Sequence, residues 1–199
     1  MRLILASTSP RRKALLASLG IPFDIVAPRY EEVFTPGLTP ERQVELFALE
    51  KARSIGISNA FVLGSDTLIV VESAGTNIIF GKPSDVSDAR KILTLLQGRV
   101  HRVITGVALM IPNRLKMKCW HEITEVGMRV MNNEQIERYI ASQEPLDKAG
   151  AYAIQGIGGQ FIEHVNGNID NVIGLPLQSV ATALLRHGFP VTVPNQNIL

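Results

Sequence analysis

Residues 60–72, AFVLGSDTLIVVE, constrain the fold most, because a carboxylate stands inside an otherwise apolar run. Their composition predicts one long β-strand. Burying the Asp66 carboxylate there without a partner costs several kcal/mol, so Asp66 needs a cation, a metal ion or a cleft. The alternative is a structural aspartate bonded to nearby backbone. We favour a functional aspartate, because central strands tolerate this residue poorly.

Helices alternate with strands along the rest of the chain. Strands are predicted at residues 2–6, 23–27 and 78–82, the last after a hairpin turn at SAGTN, and on both sides of Pro112-Asn113. Helices are predicted from about Pro10 to Leu19, from Thr39-Pro40 to Gly56, and beginning at Ser87, at Asn132 or Asn133, and at Pro176. The glycine-rich residues 146–168 are expected to hold further short strands, and residues 189–199 a loose end. Without a linker or repeat, the prediction is one α/β domain over residues 1–199, with a mixed sheet and two lobes about a cleft.

The opening stretch LILASTSPRRKALLASLG, residues 3–20, places Arg11, Arg12 and Lys13 at the start of the first helix. The helix dipole is positive there, which disfavours each cation by roughly 0.3–1 kcal/mol. An anion would resolve the conflict, because helix amides and arginine forks suit phosphate oxygens. An exposed basic first turn is an equal alternative, since the stretch lacks the G-x-x-x-x-G-K-[ST] motif.

Two further groups of polar residues stand where tight backbone is expected. Lys82 lies in Gly81-Lys82-Pro83 after a short strand, and Lys51 lies on the second helix; alone, each is better explained as a solvated charge. Residues 146–152, LDKAGAY, combine a charged pair with small residues and are followed by Gln155-Gly156. They suit a close approach to a ligand, although a salt bridge in a tight loop is equally compatible.

Motif searches and composition exclude several classes of function. The four histidines form no H-E-x-x-H motif, and no G-x-S-x-G motif is present. The remaining carboxylates, lysines and arginines are typical of hard-cation phosphate chemistry. A net charge of +2 argues against nucleic-acid or membrane partners. The single cysteine, Cys119, is expected in the core; it allows no intrachain disulfide and favours a cytoplasmic location.

Five stretches in order resemble the signature motifs of the Maf family of nucleoside-triphosphate pyrophosphatases. The matching segments are 6–12 (A-S-x-S-P-R-R), 64–67 (G-A-D-T), 81–83 ([EG]-K-P), 147–152 (D-K-A-G) and 172–176 (V-x-G-L-P). Each motif is weak alone, and the five in this order are specific. The resemblance covers the chain from Leu3 to Leu177.

The resemblance implies hydrolysis of a nucleoside triphosphate to a monophosphate and pyrophosphate, assisted by Mg²⁺ or Mn²⁺. It implies an α/β fold with a deep cleft, related to that of the inosine-triphosphate pyrophosphatases, and a homodimer. Asp66 is then expected to be the proton acceptor for the water that attacks the α-phosphorus. We expect Glu32, Asp66 or both to hold the metal ion. The other site residues are expected to act on the triphosphate, and they are Ser7, Arg11, Arg12, Lys51, Lys82 and Lys148.

Residues 151–156, AYAIQG, resemble the A-Y-G-I-Q-G of the dTTP/UTP-preferring branch of the family. The 7-methyl-GTP branch carries a serine and a glutamate in this region. The match makes Arg12, Thr67 and Gln155 the specificity residues. A glutamine amide offers an acceptor and a donor pair, which suit the N3–H and O4 of uracil or thymine.

The chain departs from the family pattern at three places, and two other functions stay open. Ser65 replaces an alanine, Ala153 replaces a glycine, and residues 168–171, NIDN, stand where an aromatic-containing segment is common. One alternative is a pyrophosphatase for 7-methyl-GTP or other modified nucleotides. The other is a nucleotide-binding regulator of septum formation without significant catalysis.

Overall fold

The structure is a computed structural model, and it describes residues 1–112 and 117–191. The strands in this part of the chain are β1 Leu3–Ala6, β2 Asp24–Ile25, β3 Phe61–Ser73, β4 Thr76–Phe80, β5 Val100–Met110, β6 Met117–Met128 and β7 Ile162–Asn166. The α-helices are α1 Pro10–Ala17, α2 Pro40–Arg53, α3 Val86–Leu96, α4 Asn133–Ala141, α5 Ile169–Ile173 and α6 Leu177–Arg186. Short 3-10 helices lie at Glu144–Asp147, Ala149–Ala151 and Ile157–Phe161.

The strands form one mixed sheet in the order β2-β1-β3-β5-β6-β7, with β4 paired to β3. Strand β1 runs parallel to both β2 and β3, so that Ile4 lies opposite Asp24 on one side and Val62 on the other. Strand β4 is antiparallel to β3, and β7 is antiparallel to β6. The predicted α/β class with a mixed sheet and helices is confirmed. The deep cleft between two lobes stays a prediction.

By its contacts the chain divides into two compact units, each with its own core. The first holds residues 1–66, 105–112, 117–121 and 174–191 of the described chain, and the second holds residues 67–104 and 122–173. Leu5, Leu63 and Leu184 are fully buried in the core of the first unit. Leu93 and Val103 are fully buried in that of the second. The prediction of a single domain over residues 1–199 stays a prediction.

Helix α2 packs unusually close to the sheet of the first unit because two glycines face it. A Cβ built on Gly64 would lie 2.1 Å from the carbonyl oxygen of Ala48, and one on Gly106 would lie 2.4 Å from that of Val44. Both distances are far below van der Waals contact, so only glycine allows this approach. The Thr39 side chain accepts a hydrogen bond from Arg42 N, which caps the helix where the sequence predicts its start.

Four sequence expectations are corrected by the structure. Helix α3 is capped by Asp85, whose side chain accepts from Asp88 N at 2.8 Å, and not by Ser87. Residues 146–168 hold mainly 3-10 turns and one strand, β7, where several strands were expected. Residues 23–27 contribute only the two-residue strand β2.

The fourth correction concerns the end of the chain, which was expected to be loose from residue 189 onward. Phe189 is 2% exposed and packs edge-to-face on Phe61, with ring centroids 5.3 Å apart. Residues 192–199 and Asn113 of the expected turn lie outside the described residues. None of the helices in residues 1–112 and 117–191 has the length and apolar character needed to cross a bilayer.

Candidate active site

A buried ion pair joins α2 to β3 at Asp66. Lys51 Nζ lies 2.9 Å from Asp66 Oδ1, and the two side chains are only 10% and 9% exposed. Lys51 follows Ala48 by about one helical turn, and Ala48 is the residue whose carbonyl faces Gly64. The close approach of helix and strand therefore brings the ammonium group beside the carboxylate. Asp66 has the cation that its place in an apolar strand requires.

Arg12 is a second cation near the same carboxylate. Its Nη2 lies 3.7 Å from Asp66 Oδ1, and its Nε donates to the Gly174 carbonyl at 2.8 Å. Ser65 Oγ donates to the same carbonyl at 2.9 Å. Burial lowers the pKa of the Arg12 guanidinium, although the charges of Asp66 and Glu32 oppose this shift. One backbone carbonyl thus holds Arg12 and the residue before Asp66 together.

Glu32 completes the charged group from the loop between β2 and α2. Its Oε1 lies 2.5 Å from Lys51 Nζ, and its side chain is 45% exposed. Phe47 on α2 contacts Tyr30 and Phe34, with ring centroids 6.3 Å and 5.3 Å away. The loop is therefore anchored to α2 on both sides of Glu32.

The two carboxylates of this group fit a divalent cation. Asp66 Oδ2 is buried and has no hydrogen-bond partner among the described residues. Mg²⁺ and Mn²⁺ prefer oxygen ligands, and Mg²⁺ commonly takes one or two carboxylates together with phosphate oxygens and water. The described chain contains no cluster of three or more His, Cys, Asp or Glu side chains placed to hold a metal by themselves. Asp66 and Glu32 therefore fit an ion that takes further ligands from a bound phosphate.

The turn between β1 and α1 presents the start of the first helix. Ser7 is buried, and its Oγ accepts from Ser9 N at 3.1 Å. Ser9 caps the helix by accepting from Arg12 N at 3.4 Å, which places the start of α1 at Pro10, where the sequence predicts it. Arg11 is partly buried in the first turn. The side chains of Arg11 and Arg12 thus start from the first turn of α1, where the helix dipole also favours an anion.

The remaining predicted site residues belong to the second unit. Thr67 follows Asp66 on β3 and is partly buried, whereas Lys82 and Gln155 are exposed. Lys148 Nζ donates to the Glu144 carbonyl at 3.0 Å. These four residues are contributed by β3, the turn after β4 and the loop segments around residues 148 and 155.

A backbone hydrogen bond joins the two lysine-bearing segments of the second unit. Gly150 N donates to Gly81 O at 2.9 Å, which ties the turn that carries Lys82 to the segment that carries Lys148. A Cβ on Gly150 would lie 2.6 Å from the side chain of Ile69, and its φ is +71°. Glycine is therefore required at residue 150, both for the close approach and for the backbone conformation.

The chain matches the family model described as Maf-like protein over residues 2–187. It belongs to the Maf family. A dTTP/UTP pyrophosphatase of Bacillus cereus (strain ATCC 10987 / NRS 248) is 42% identical over 193 residues, which cover 96% of this chain and 92% of that protein. A dTTP/UTP pyrophosphatase of Moorella thermoacetica (strain ATCC 39073 / JCM 9320) is 44% identical over 192 residues, covering 96% and 97%. The resemblance found in the sequence is confirmed.

A solved structure shares the fold of this Maf chain. The HAM1 protein from Coxiella burnetii matches with a TM-score of 0.50 over 94% of this chain and 99% of that one. The identity is 17%, so the likeness concerns the fold alone.

Sequence reasoning missed two features of the Maf site. It matched residues 172–176 to a family motif without assigning the Gly174 carbonyl, which holds Arg12 and Ser65. The signal was a glycine inside an apolar segment, and its φ of +118° explains the residue type. It also placed Phe47 on the apolar face of α2 without assigning its contacts with Tyr30 and Phe34, which anchor the loop that carries Glu32.

Each departure from the Maf pattern has a local explanation. Ser65 uses its hydroxyl as a donor to Gly174, which an alanine cannot do. Ala153 is not among the non-glycine residues with a positive φ in the described part of the chain. Its side chain therefore causes no backbone strain. Asn168 Oδ1 accepts from Asp170 N at 2.9 Å, and Asn171 Nδ2 donates to Val103 O at 3.0 Å. The asparagine side chains of residues 168–171 thus form hydrogen bonds with backbone groups of the second unit.

Proposed function

We propose that this Maf protein is a nucleoside-triphosphate pyrophosphatase that converts dTTP and UTP to the monophosphate and pyrophosphate. The observation that carries the proposal is the 42–44% identity, over 96% of the chain, to two proteins named dTTP/UTP pyrophosphatase. The buried group of Arg12, Lys51 and Asp66, with Glu32 at its edge, supports it with the chemistry that phosphoryl transfer needs.

Asp66 is the proton acceptor in this proposal. Its Oδ1 is held by Lys51, while Oδ2 is buried without a hydrogen-bond partner among the described residues. An attacking water can donate its proton to Oδ2 as it approaches the α-phosphorus in line. Pyrophosphate leaves from the opposite side of the phosphorus. Holding Oδ1 fixed aims Oδ2, which favours proton transfer over rotation of the carboxylate.

The cations bind the triphosphate and stabilise charge in the transition state. Arg12 and Lys51 lie beside the base and act on oxygens near the α-phosphorus, since both already contact Asp66. Ser7 and Arg11 bind oxygens at the start of α1, and Lys82 and Lys148 bind the leaving pyrophosphate. Such donors are most effective in a dry site, where charge is poorly screened.

Glu32 and Asp66 would hold a Mg²⁺ or Mn²⁺ ion together with phosphate oxygens. When bound, this ion would supply charge neutralisation on the phosphates and Lewis acidity towards water. The exposure of Glu32 supports the assignment, because a ligand that meets the ion with its substrate must be accessible.

Base preference is assigned to Arg12, Thr67 and Gln155. The exposed Gln155 amide can accept from N3–H and donate to O4 of uracil or thymine. A base with the reversed donor and acceptor pattern leaves this amide and the base unpaired, which lowers the affinity for that nucleotide. A homodimer and a cytoplasmic location are parts of the same proposal.

Pyrophosphate release by the purified protein tests the function. The panel is UTP, dTTP, CTP and 7-methyl-GTP, each with Mg²⁺ or Mn²⁺, and light scattering after gel filtration measures the dimer. We expect release from UTP and dTTP, and a loss of about 100-fold to 10,000-fold in kcat for Asp66→Asn with little change in nucleotide affinity. Asp24→Asn is the matched control, since Asp24 is an exposed aspartate paired with Arg2.

Other outcomes of this experiment would select the alternatives. Preferential release from 7-methyl-GTP would contradict the assignment of Gln155 and favour another branch of the family. If the wild-type protein and Asp66→Asn both bind nucleotide tightly and neither releases pyrophosphate, the enzymatic function is contradicted and the nucleotide-binding regulator is favoured. Near-normal turnover by Asp66→Asn would show that another group accepts the proton.

A further inference from the structure

The backbone on both sides of Gln155 is held by two side chains of a different segment. Tyr139 Oη, on α4, accepts a hydrogen bond from Ala153 N at 3.1 Å and donates to Glu144 Oε1 at 2.8 Å. The Glu144 carboxylate also accepts from two amides beyond Gln155. These belong to Ile157, at 3.0 Å, and Gly158, at 2.9 Å.

Two glycines allow these side chains to reach the backbone. A Cβ on Gly156 would lie 2.4 Å from Glu144 Oε2, and one on Gly158 would lie 2.3 Å from Tyr139 Oη. Gly156 also has a φ of +140°, which few other residues adopt. The backbone of residues 153–158 therefore fits this tyrosine and glutamate closely. Gln155 lies between the amide of Ala153, which Tyr139 holds, and that of Ile157, which Glu144 holds.

The side chains that hold the loop are themselves firmly placed. Tyr139 is 2% exposed in the core of the second unit, and its ring lies 5.4 Å from that of Phe161. Burial alone would raise the pKa of Glu144. The hydrogen bonds from Gly158, Ile157 and Tyr139 outweigh this effect and hold its pKa below the usual value. Glu144 is thus an anionic acceptor in the neutral pH range, which strengthens its bonds to the amides.

We propose that Glu144 and Tyr139 are positioning residues that fix the loop at residues 153–158 and thereby set the base preference of Gln155. The inference rests on the proposed function. Gln155 itself is exposed, so its direction is set by the backbone more than by side-chain packing. A glutamine amide can present its oxygen or its nitrogen to a given atom, and a fixed backbone restricts the side-chain rotamers from which either group can reach the base. Uracil and cytosine differ by this reversal of donor and acceptor.

The test compares Glu144→Gln and Tyr139→Phe with the wild-type protein. The readouts are kcat and KM for UTP and CTP, the affinities for UMP and CMP by calorimetry, and thermal melting. We expect the ratio of kcat/KM for UTP over CTP to fall about tenfold in both variants, which is the effect of one hydrogen bond. The lower ratio should come from a higher KM for UTP. The kcat should stay within about twofold of the wild-type value, because Asp66, Lys51 and Arg12 are unchanged.

A matched control separates positioning from loss of stability. Glu137→Gln removes a carboxylate from α4, the helix that carries Tyr139, where Glu137 forms an exposed pair with Arg90. This variant should keep the wild-type ratio. A purely structural role would lower the melting temperature and the active fraction but leave the ratio of UTP to CTP unchanged. If Glu144→Gln does not fold, Tyr139→Phe decides, since it removes only one hydroxyl.

The result that overturns the inference is an unchanged ratio in a folded variant. If the wild-type protein releases no pyrophosphate from any nucleotide, the proposed function fails, and the affinities for UMP and CMP then decide this inference. A preference for UMP that both variants lose supports the positioning role. No preference in the wild-type protein, or a preference that the variants keep, contradicts it.

Discussion

Lys51 and Asp66 form a buried ion pair across the closest contact between α2 and β3. Both side chains are about nine-tenths buried, and Lys51 is shared with Glu32. Burying such a pair costs desolvation free energy that its attraction only partly recovers, so stability alone is a weak reason for it. A site for a charged substrate gives a better reason. The fold holds charges in a dry position where they act on phosphate oxygens without first being reorganised.

Replacing Lys51 by methionine keeps the volume of the side chain and removes its charge. We expect kcat/KM for UTP to fall by about 100-fold, because a donor to the phosphates and the partner that fixes Asp66 Oδ1 are lost together. Steady-state pyrophosphate release measures the change. Lys91→Met on the exposed face of α3 is the control and should retain wild-type kinetics. Equal activity of the two variants would contradict the role of Lys51.

Gly64→Ala should disturb both stability and catalysis. The new Cβ would meet the Ala48 carbonyl at 2.1 Å, so α2 must move away from β3 and carry Lys51 with it. We expect the free energy of unfolding in urea to fall by about 3 kcal/mol, with a loss of activity in the protein that remains folded. Gly81→Ala is the matched control, because open space surrounds its Cβ and its stability should change by less than about 0.5 kcal/mol.

His101 should make the stability of the protein depend on pH. It is buried, its Nε2 lies 2.7 Å from Tyr152 Oη, and burial lowers its pKa from 6.5 to about 4. Between these values the unfolded chain binds a proton that the folded chain does not. Stability therefore falls as the pH drops below 6.5, by about 3 kcal/mol in total near pH 4, and this contribution is fully present above pH 6.5.

Urea unfolding from pH 7 to pH 4 measures the effect of His101. His101→Asn should be less stable at pH 7 and should lose part of the slope of unfolding free energy against pH. His187→Gln is the control, since His187 is at the surface end of α6, and it should keep the full slope. Identical slopes in His101→Asn and the wild-type protein would show that the pKa of His101 is the same in the folded and unfolded states, and would contradict the prediction.

Local signals in the sequence predicted most of the fold. Ser9, Thr39 and Asn132 cap helices where expected, because a cap is set by a few adjacent residues. The prediction of Ser87 as the cap of α3 failed, because Asp85 is an equally good capping residue and only the path of the chain decides between them. The prediction of several strands in residues 146–168 failed for another reason. Their amides are satisfied by Glu144 and Tyr139, which suits 3-10 turns instead of strands.

The candidate site was predictable as a set of residues but not as a geometry. The motif match named Arg12 and Asp66, Lys51 was singled out on the second helix, and the sequence pattern placed the three residues on α1, α2 and β3. Their contact depends on the distance between α2 and the sheet, which Gly64 sets through a tertiary approach that no local pattern reveals. The shared carbonyl of Gly174 is likewise a long-range contact, 162 residues from Arg12.

Glu32→Gln should weaken the binding of the divalent cation more than the binding of the nucleotide. The amide keeps one oxygen acceptor but loses the charge, so we expect about tenfold more Mn²⁺ to be needed for half-maximal pyrophosphate release. A chelator should abolish release in the wild-type protein. Electron paramagnetic resonance of Mn²⁺ in the presence of UMP gives the affinity directly. Glu31→Gln is the matched control, because Glu31 is an exposed neighbouring glutamate of the same loop. If Glu31→Gln and Glu32→Gln require the same concentration of Mn²⁺, Glu32 is not a metal ligand, and its contact with Lys51 then serves only to balance that charge.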